Sequence, residues 1–505
     1  MIKKSLLLAV CLLVWVSPVW AVDYREYLTR FEDRVTEFTL ENGLQVLVIQ
    51  RSNAPVASFV SFVDAGSVDE PRGKTGLAHM LEHMAFKGTP AIGTRDWSRE
   101  EPLLKEMQEV FSRIRRERAS TQPDRERLQT LRERLEGLRE KAEQYAKPNE
   151  FSRIIERHGG EDLNAATSAD YTVYQCSLPA HKKELWFSLE SQRLIRPAWR
   201  EFFTEKEVVF EERRTRLESN PMGRLIQQLR STAYSAHPYR SPTLGWRSDL
   251  ESLGMDDLQK FHDRYYRPGN VTLAVAGDID PRRIRELAEE HFSSWEGKEK
   301  DPRYITREPE QESRKRFSLE SHRQPAYVQA YHSVALEDPK EPEMDVLADI
   351  LARGRTSRLY TSLVQEEEIA SRVQALQGYP GEKHPSLFVF LALPHRDIEL
   401  DELEQGLQNQ LERLKKEGVG AEELERAKTR IRADLIRSLD SNLGLARSFV
   451  RAHTQRGDWR KVFGYLDRVE EVSQDSVQEA AKAFFQPENR TIGELIHRDQ
   501  SGKGQ

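Results

Sequence analysis

Between Phe38 and Phe86 the hydrophobic period of the chain changes from that of a strand to that of a helix. This switch limits what the chain can fold into more than any other feature. The run FTLENGLQVLVIQ, Phe38 to Gln50, sets Asn42-Gly43 between alternating apolar positions, which is a hairpin pattern. A further strand is expected at Val56 to Val63, closed by Ala65-Gly66. From Thr75 to Phe86 apolar residues and histidines recur at helical spacing. This region is therefore built of strands that hand directly on to a helix.

The same mixture continues along the chain. Alternation returns through Thr172, Tyr174 and Cys176, and helical patterns follow from His181 to Leu194 and Glu205 to Leu217. VTLAVAGDI, Val271 to Ile279, is an apolar run of buried-strand type, with a helix expected from Pro281 to Phe292. Residues 296–316 are charged and proline-bearing and read as a linker. Beyond it strands are expected at Tyr327 to Val334 and Leu387 to Leu393, with helices at Met344 to Leu351, Glu402 to Lys416 and Ala421 to Arg437. Two halves, 22–295 and 317–500, thus each mix strands and helices. That predicts a duplicated α+β domain, although no direct sequence repeat is visible.

One stretch stands apart. Residues 100–156 are crowded with Glu, Arg and Lys, and Leu128, Leu131, Leu135, Leu138, Ala142 and Tyr145 recur in steps of three and four. This seam suits an antiparallel partner helix over Leu103 to Ile114, with the break at residues 120–124. The expectation is a projecting, solvated helical hairpin inserted in the first domain.

Composition narrows the class. With 77 Lys+Arg against 83 Asp+Glu the formal net charge is −6, and the charges are interspersed, unlike the basic stripe of a nucleic-acid binder. Lys3 and Lys4, an apolar run from Leu6 to Val16 and a small-residue site ending at Ala21 have the layout of a secretory signal over residues 1–21. Its removal takes Cys11 and leaves Cys176 alone, without an internal disulfide partner. The expected address is periplasmic or secreted from a bacterium, with no stable membrane span once the signal is gone.

The chemistry is expected in HMLEH, His79 to His83. Residues four apart share a helix face, so both imidazoles can reach one metal ion. Imidazole suits zinc, and a catalytic zinc needs three protein ligands and an open position. Glu82 can reach a water on such an ion and take its proton. The order is the inverted zincin form of the motif. The bland reading is a pair of half-buried histidines on a packed helix.

Around this motif the chain resembles the pitrilysin-like zinc metallopeptidases, family M16, especially the bacterial and mitochondrial-processing-peptidase branch. The resemblance rests on GLAHMLEHMAFKGT (Gly76 to Thr89), LNAATSADYTVY (Leu163 to Tyr174) and EKEVVFEE (Glu205 to Glu212). It continues in HPY (His237 to Tyr239) with Gly245, YYRPGNVTLAVAGDID (Tyr265 to Asp280) and SRLY (Ser357 to Tyr360). It implies two homologous α+β domains, each a mainly antiparallel sheet backed by helices, enclosing a clam-like chamber. One zinc ion per chain is implied, with Glu212 as third ligand and Glu205 as its supporting carboxylate. Glu207 and Glu211 on the same helix compete for these roles. Asn164 and Ala165 are placed by the resemblance on a sheet edge where peptide substrate adds as a strand.

The sequence departs from the pattern in one place. Relatives that grip substrate with the second half carry an arginine and a tyrosine seven residues apart, where this chain has Val364 and Ser371. In two-chain relatives a metal-free homologous subunit provides the pair, so such a partner is expected here. The resulting expectation is a zinc-dependent endopeptidase of unfolded peptides with Glu82 as general base. The alternative is a catalytically silent, peptide-binding or scaffold subunit. A zinc store is disfavoured, because no His-rich tract is present.

Overall fold

The computed structural model describes residues 29, 31–297 and 302–497. The signal segment and part of the expected linker lie outside these residues. Six strands form the first sheet: β1 (Val35–Thr39), β2 (Gln45–Gln50), β3 (Val56–Val63), β4 (Glu161–Thr167), β5 (Thr172–Pro179) and β6 (Val271–Gly277). Their order is β1-β2-β6-β3-β5-β4, and only β2 and β6 pair in parallel. A second sheet of five strands comprises β7 (Lys315–Ser321), β8 (Ala326–His332), β9 (Ala370–Tyr379), β10 (Leu387–Pro394) and β11 (Arg490–His497). Its order is β7-β11-β8-β10-β9, with only β7 and β11 parallel. The protein is thus α+β with two sheets.

The apolar runs of β2, β3 and β6 follow from burial on both faces. Val46, Val48, Phe59, Val63, Leu273 and Val275 face the main helical layer of the first half. Leu47, Ile49, Val60, Phe62, Ala274 and Ala276 face the other way. The helices that matter below are α1 (Leu77–Met84), α2 (Trp97–Arg118), α3 (Arg125–Glu143), α4 (Phe202–Arg213), α5 (Pro221–Ala233), α6 (Met255–Tyr265), α7 (Glu341–Ala352) and α8 (Asn442–Arg456). The second face of the first sheet is covered by α8, through Leu445, Ala446, Phe449 and Val450. Reciprocally, α5 from the first half lays Leu225, Leu229 and Ala233 on Val328, Ala330 and Val389 of the second sheet. Each half lends the other a helix.

The insertion differs from its expectation. α2 and α3 pair through Leu104, Met107, Phe111, Ile114, Leu128, Leu131 and Leu138, as the seam implies. They do not project as a solvated arm. Phe111 packs edge-on against Phe203 at 5.1 Å, and Arg115 bonds Asp256 and Asp257 on α6, each at 2.7 Å. At the root, Arg200 and Glu100 form a buried ion pair at 2.9 Å. The charge density hid a second apolar face on α2. The helix expected over Thr75 to Phe86 is shorter, and the Asn42-Gly43 connection spans Leu40 to Leu44, closed by a bond from Leu40 N to Leu44 O.

Candidate metal centre and peptide-strand edge

α1 is only eight residues long, and its start is built for one orientation. Gly76 adopts φ +86°, and a Cβ there would meet Leu250 Cδ2 at 2.7 Å. Glu70 accepts from Gly76 N at 2.9 Å and Ala78 N at 2.8 Å, satisfying donors that a helix start leaves free. Helical spacing then puts His79 and His83 side by side, ring centroids 4.6 Å apart.

α4 brings the acidic partner. Glu212 Oε2 lies 3.6 Å from His79 Nε2 and 3.3 Å from His83 Nε2. The donor atoms of these three residues lie within 4.8 Å of one another. Ligands about 2.0–2.2 Å from a tetrahedral zinc stand about 3.3–3.6 Å from each other, so these separations fit the ion. Glu212 Oε1 is bound by Arg216 Nη1 at 2.9 Å, which leaves Oε2 facing the imidazoles. A π-helical turn over Arg214–Glu218 follows α4 directly and carries Arg216. The competing carboxylates face elsewhere: Glu207 bonds Arg139 at 3.0 Å and Glu211 bonds Arg214 at 2.9 Å.

Behind the ring of His83, Glu205 Oε1 takes the Nδ1 hydrogen at 2.9 Å, and Lys87 Nζ holds Glu205 Oε2 at 2.5 Å. A carboxylate on the far nitrogen fixes the tautomer that presents Nε2 to a metal. Burial lowers His83, but its bonds to Glu205 and Glu212 outweigh this and carry its pKa to about 9. His79 is more deeply buried and faces charged His83, and its pKa falls to about 4. Glu212 is held low, by its bond to His83 first, and Glu205 also, where His83 and Lys87 overcome the effect of burial.

Glu82 stands beside this cluster. Thr167 Oγ1 donates to Glu82 Oε2 at 2.6 Å, and burial raises the Glu82 pKa despite that bond. Thr167 ends β4, whose one hydrogen-bonded neighbour among the described strands is β5, so among the described residues the other edge of β4 is open. Asn164 and Ala165 lie on this edge strand, with no strand beyond it among the described residues, and Ala165 N donates to Asn164 Oδ1 at 2.9 Å. Seven residues named from the sequence, His79, Glu82, His83, Asn164, Ala165, Glu205 and Glu212, therefore fall on α1, α4 and the strand that reaches them. Thr167, Lys87, Arg216 and Glu70 were not foreseen. Thr167 and Lys87 lie within motifs quoted above, but nothing in their spacing marks them.

In the second half, Val364 packs against the core and Ser371 Oγ donates to the carbonyls of Leu393 and Pro394, each at 3.3 Å. A second acidic group, Asp401, Glu404 and Glu494, is met by Arg316 and Arg490. It is a set of ion pairs.

Comparison with known proteins gives the frame a family. Residues 45–100 and 138–246 match the family described as Insulinase (Peptidase family M16), and residues 252–431 match Peptidase M16 inactive domain. The chain belongs to peptidase family M16. It is 28% identical over 457 residues to Zinc protease PqqE of Helicobacter pylori, covering 89% of this chain and 88% of that one. It is 23% identical over 414 residues to the uncharacterized zinc protease YmxG of Bacillus subtilis, covering 81% and 85%. Among solved structures, a protease from Helicobacter pylori matches with TM-score 0.75 at 26% identity, covering 92% of this chain and 99% of that one. The periplasmic protease PqqL of Escherichia coli shares the fold, with TM-score 0.67 at 18% identity, over 92% of this chain and 48% of that one. The gap in the first family match, 101–137, falls within the α2–α3 insertion.

Proposed function

We propose that the chain is a zinc-dependent endopeptidase of unfolded peptides, with His79, His83 and Glu212 as ligands to one zinc ion. The observation that carries this reading is that three convergent donors, spaced as ligands of one zinc ion would be, and a held carboxylate meet at the end of an open sheet edge. Zinc bound there polarises a scissile carbonyl and makes water a better nucleophile. Glu82, held in orientation by Thr167 at Oε2, accepts the water's proton and passes it to the leaving amine. Its burial makes it a stronger base. Glu205 and Lys87 keep His83 in the tautomer a ligand needs. Asn164 and Ala165 present the edge to which peptide adds as a strand, so extended chains are taken and folded ones refused.

The test is zinc content and hydrolysis of unfolded peptides by the purified chain lacking residues 1–21, beside Glu82→Gln. One zinc per chain, with hydrolysis lost only in the variant, is the expected result. Zinc bound with no hydrolysis by either would sink the stand-alone enzyme.

A second reading is favoured by Val364 and Ser371, neither of which offers the side chain of the arginine–tyrosine pair. In it the chain acts with a metal-free homologous subunit, or is itself a silent peptide-binding subunit. PqqL, about twice as long as this chain, is consistent with two such units working together. Restoration of hydrolysis by an added homologous subunit would separate the two cases. The signal-like segment supports export, so we place the protein in the periplasm or outside the cell. Detection of uncleaved chain in the cytoplasm would refute that.

A further inference from the structure

Behind the β4–β5 turn, on the sheet face that α8 covers, lies a cavity of about 310 Å³. Phe62 and Tyr171 stack in its wall with ring centroids 4.7 Å apart, and the Arg451 guanidinium lies over Tyr171 at 5.7 Å. Arg451 is held in that plane by Glu382 at 2.6 Å and by Gln455 at 3.2 Å. Arg447, one helical turn earlier, lines the same cavity, is exposed, and has no ion pair or hydrogen bond among the described residues. Two further cations of the lining, Arg456 and Lys461, are already engaged in ion pairs, both with Glu337 and Arg456 also with Glu341. The cation of the lining that has no partner among the described residues is therefore Arg447, next to a guanidinium already fixed in orientation.

We propose that this cavity takes one carboxylate of the peptide substrate, an acidic side chain or the chain's C-terminus, with Arg447 as its principal partner. The inference rests on the peptidase reading of the α1 site. Thr167, which holds Glu82, pairs with Thr172 across the turn that contains Tyr171. Peptide added along the free edge of β4 runs past Thr167 and meets that turn. Such a strand lies two strand spacings, about 10 Å, from β5, whose Val173 lines the cavity. The segment leaving the catalytic end of the edge can turn across this distance. A guanidinium fixed against an aromatic face suits a planar carboxylate. One unpaired cation beside Glu382 fits a single carboxylate better than a polyanion.

The test measures equilibrium binding of short fluorescent peptides to the zinc-loaded Glu82→Gln chain, in which turnover does not intervene. The peptides differ only by Glu or Gln near the cleavage position, each with a free or amidated C-terminus, so the two sources of the carboxylate are read separately. A carboxylate-bearing peptide should bind about tenfold more tightly than its neutral twin. Adding Arg447→Gln should erase that difference, and Arg447→Glu should turn the preference toward a Lys-bearing peptide. Arg447 is exposed, and an unchanged melting temperature and zinc content check that each variant is folded. Equal affinities for all peptides, no peptide binding, or a preference that survives Arg447→Gln would overturn the proposal. Failure of the peptidase reading shows elsewhere, as no hydrolysis of any of these peptides by the unsubstituted zinc-loaded chain.

Discussion

The two halves share one strand plan and differ in the helix that interrupts it. Order β2-β6-β3-β5-β4 of the first sheet corresponds to β7-β11-β8-β10-β9 of the second. β1 is an extra edge strand on the first sheet; within the shared five-strand plan the earliest and latest strands of each half, β2 with β6 and β7 with β11, pair in parallel, and α5 and α8 cross to the opposite sheet. α1 enters between β3 and β4, and α7 enters between β8 and β9, at the same point of the plan. α7 buries Met344, Leu347, Ile350 and Leu351 over three turns and offers no histidine. α1 stops after eight residues and gives one face to His79, Glu82 and His83, with its start pinned by Glu70. The frame therefore asks only for a packed helix at this place. At this place α1 is the shorter helix and carries two histidines and a glutamate where α7 buries apolar residues.

The largest expected effect tests that asymmetry directly. Glu82→Gln should lower peptide turnover by about three orders of magnitude, the range for a lost general base, with zinc retained. The acid on the matching helix, Asp345, is pushed up to about 7 by burial and accepts from Tyr465. Asp345→Asn should leave kcat unchanged. Comparable losses from both substitutions would erase the distinction between a chemical helix and a structural one.

The exchange of helices makes a second, smaller prediction. Leu445→Ala on α8 and Leu229→Ala on α5 each empty a fully buried site on the other half's sheet. Each should cost about 3 kcal/mol. Because each helix belongs to one half and covers the other, calorimetry should show one unfolding transition displaced by either change. Two transitions, one moved by each substitution, would mean that the halves fold independently.

How much of this could be read beforehand depended on where each element buries its residues. β2, β3 and β6 are apolar on both faces and stood out as runs, and the helix at Pro281–Phe292 carried a clear period. β7, β9 and β11 did not stand out. β7 and β9 are polar strands at the two edges of the second sheet, and β11, KRFSLES's parallel neighbour, interrupts its apolar residues with Gly493 and Glu494. The helix carrying Leu445, Phe449 and Val450 was not expected from the sequence, and no local spacing says which sheet such a face covers. At the site, His79, Glu82 and His83 were legible because a helix brings near neighbours together. Glu212 and Glu205 came only from resemblance, as 122 residues separate Glu205 from His83. Thr167 reaches Glu82 across 85 residues, a contact that local pattern does not encode.

The support behind His83 gives a third way to sharpen the comparison, since α7 has no counterpart of it. Glu205→Gln keeps the shape of the side chain and removes the charge facing Nδ1 and Lys87. Zinc affinity should fall by about 10- to 100-fold, the usual cost of losing a carboxylate behind a metal-bound imidazole. Competition with a fluorescent chelator reads this without any turnover. An unchanged affinity would demote Glu205 to an ordinary ion-pair partner of Lys87.

The last effect needs no substitution: it is a dependence on pH, and its sign follows from His83. In the metal-free fold its pKa is raised from the ordinary 6.5 to about 9, while that of His79 is lowered to about 4. At pH 7, then, His79 is ready to bind and His83 must give up a proton. Zinc affinity should rise about tenfold per pH unit from pH 7 toward 9 and then level off, with one proton released per ion. The stability of the metal-free fold moves in the opposite direction. The contribution of protonated His83 is fully present below about 6.5 and is lost as pH rises through about 9. Calorimetric titration of zinc in buffers of different ionisation heat counts the proton, and melting of the metal-free chain follows the stability. Affinity flat between pH 7 and 9 would mean that His83 is already neutral there, and that the site waits for zinc without a proton in its place.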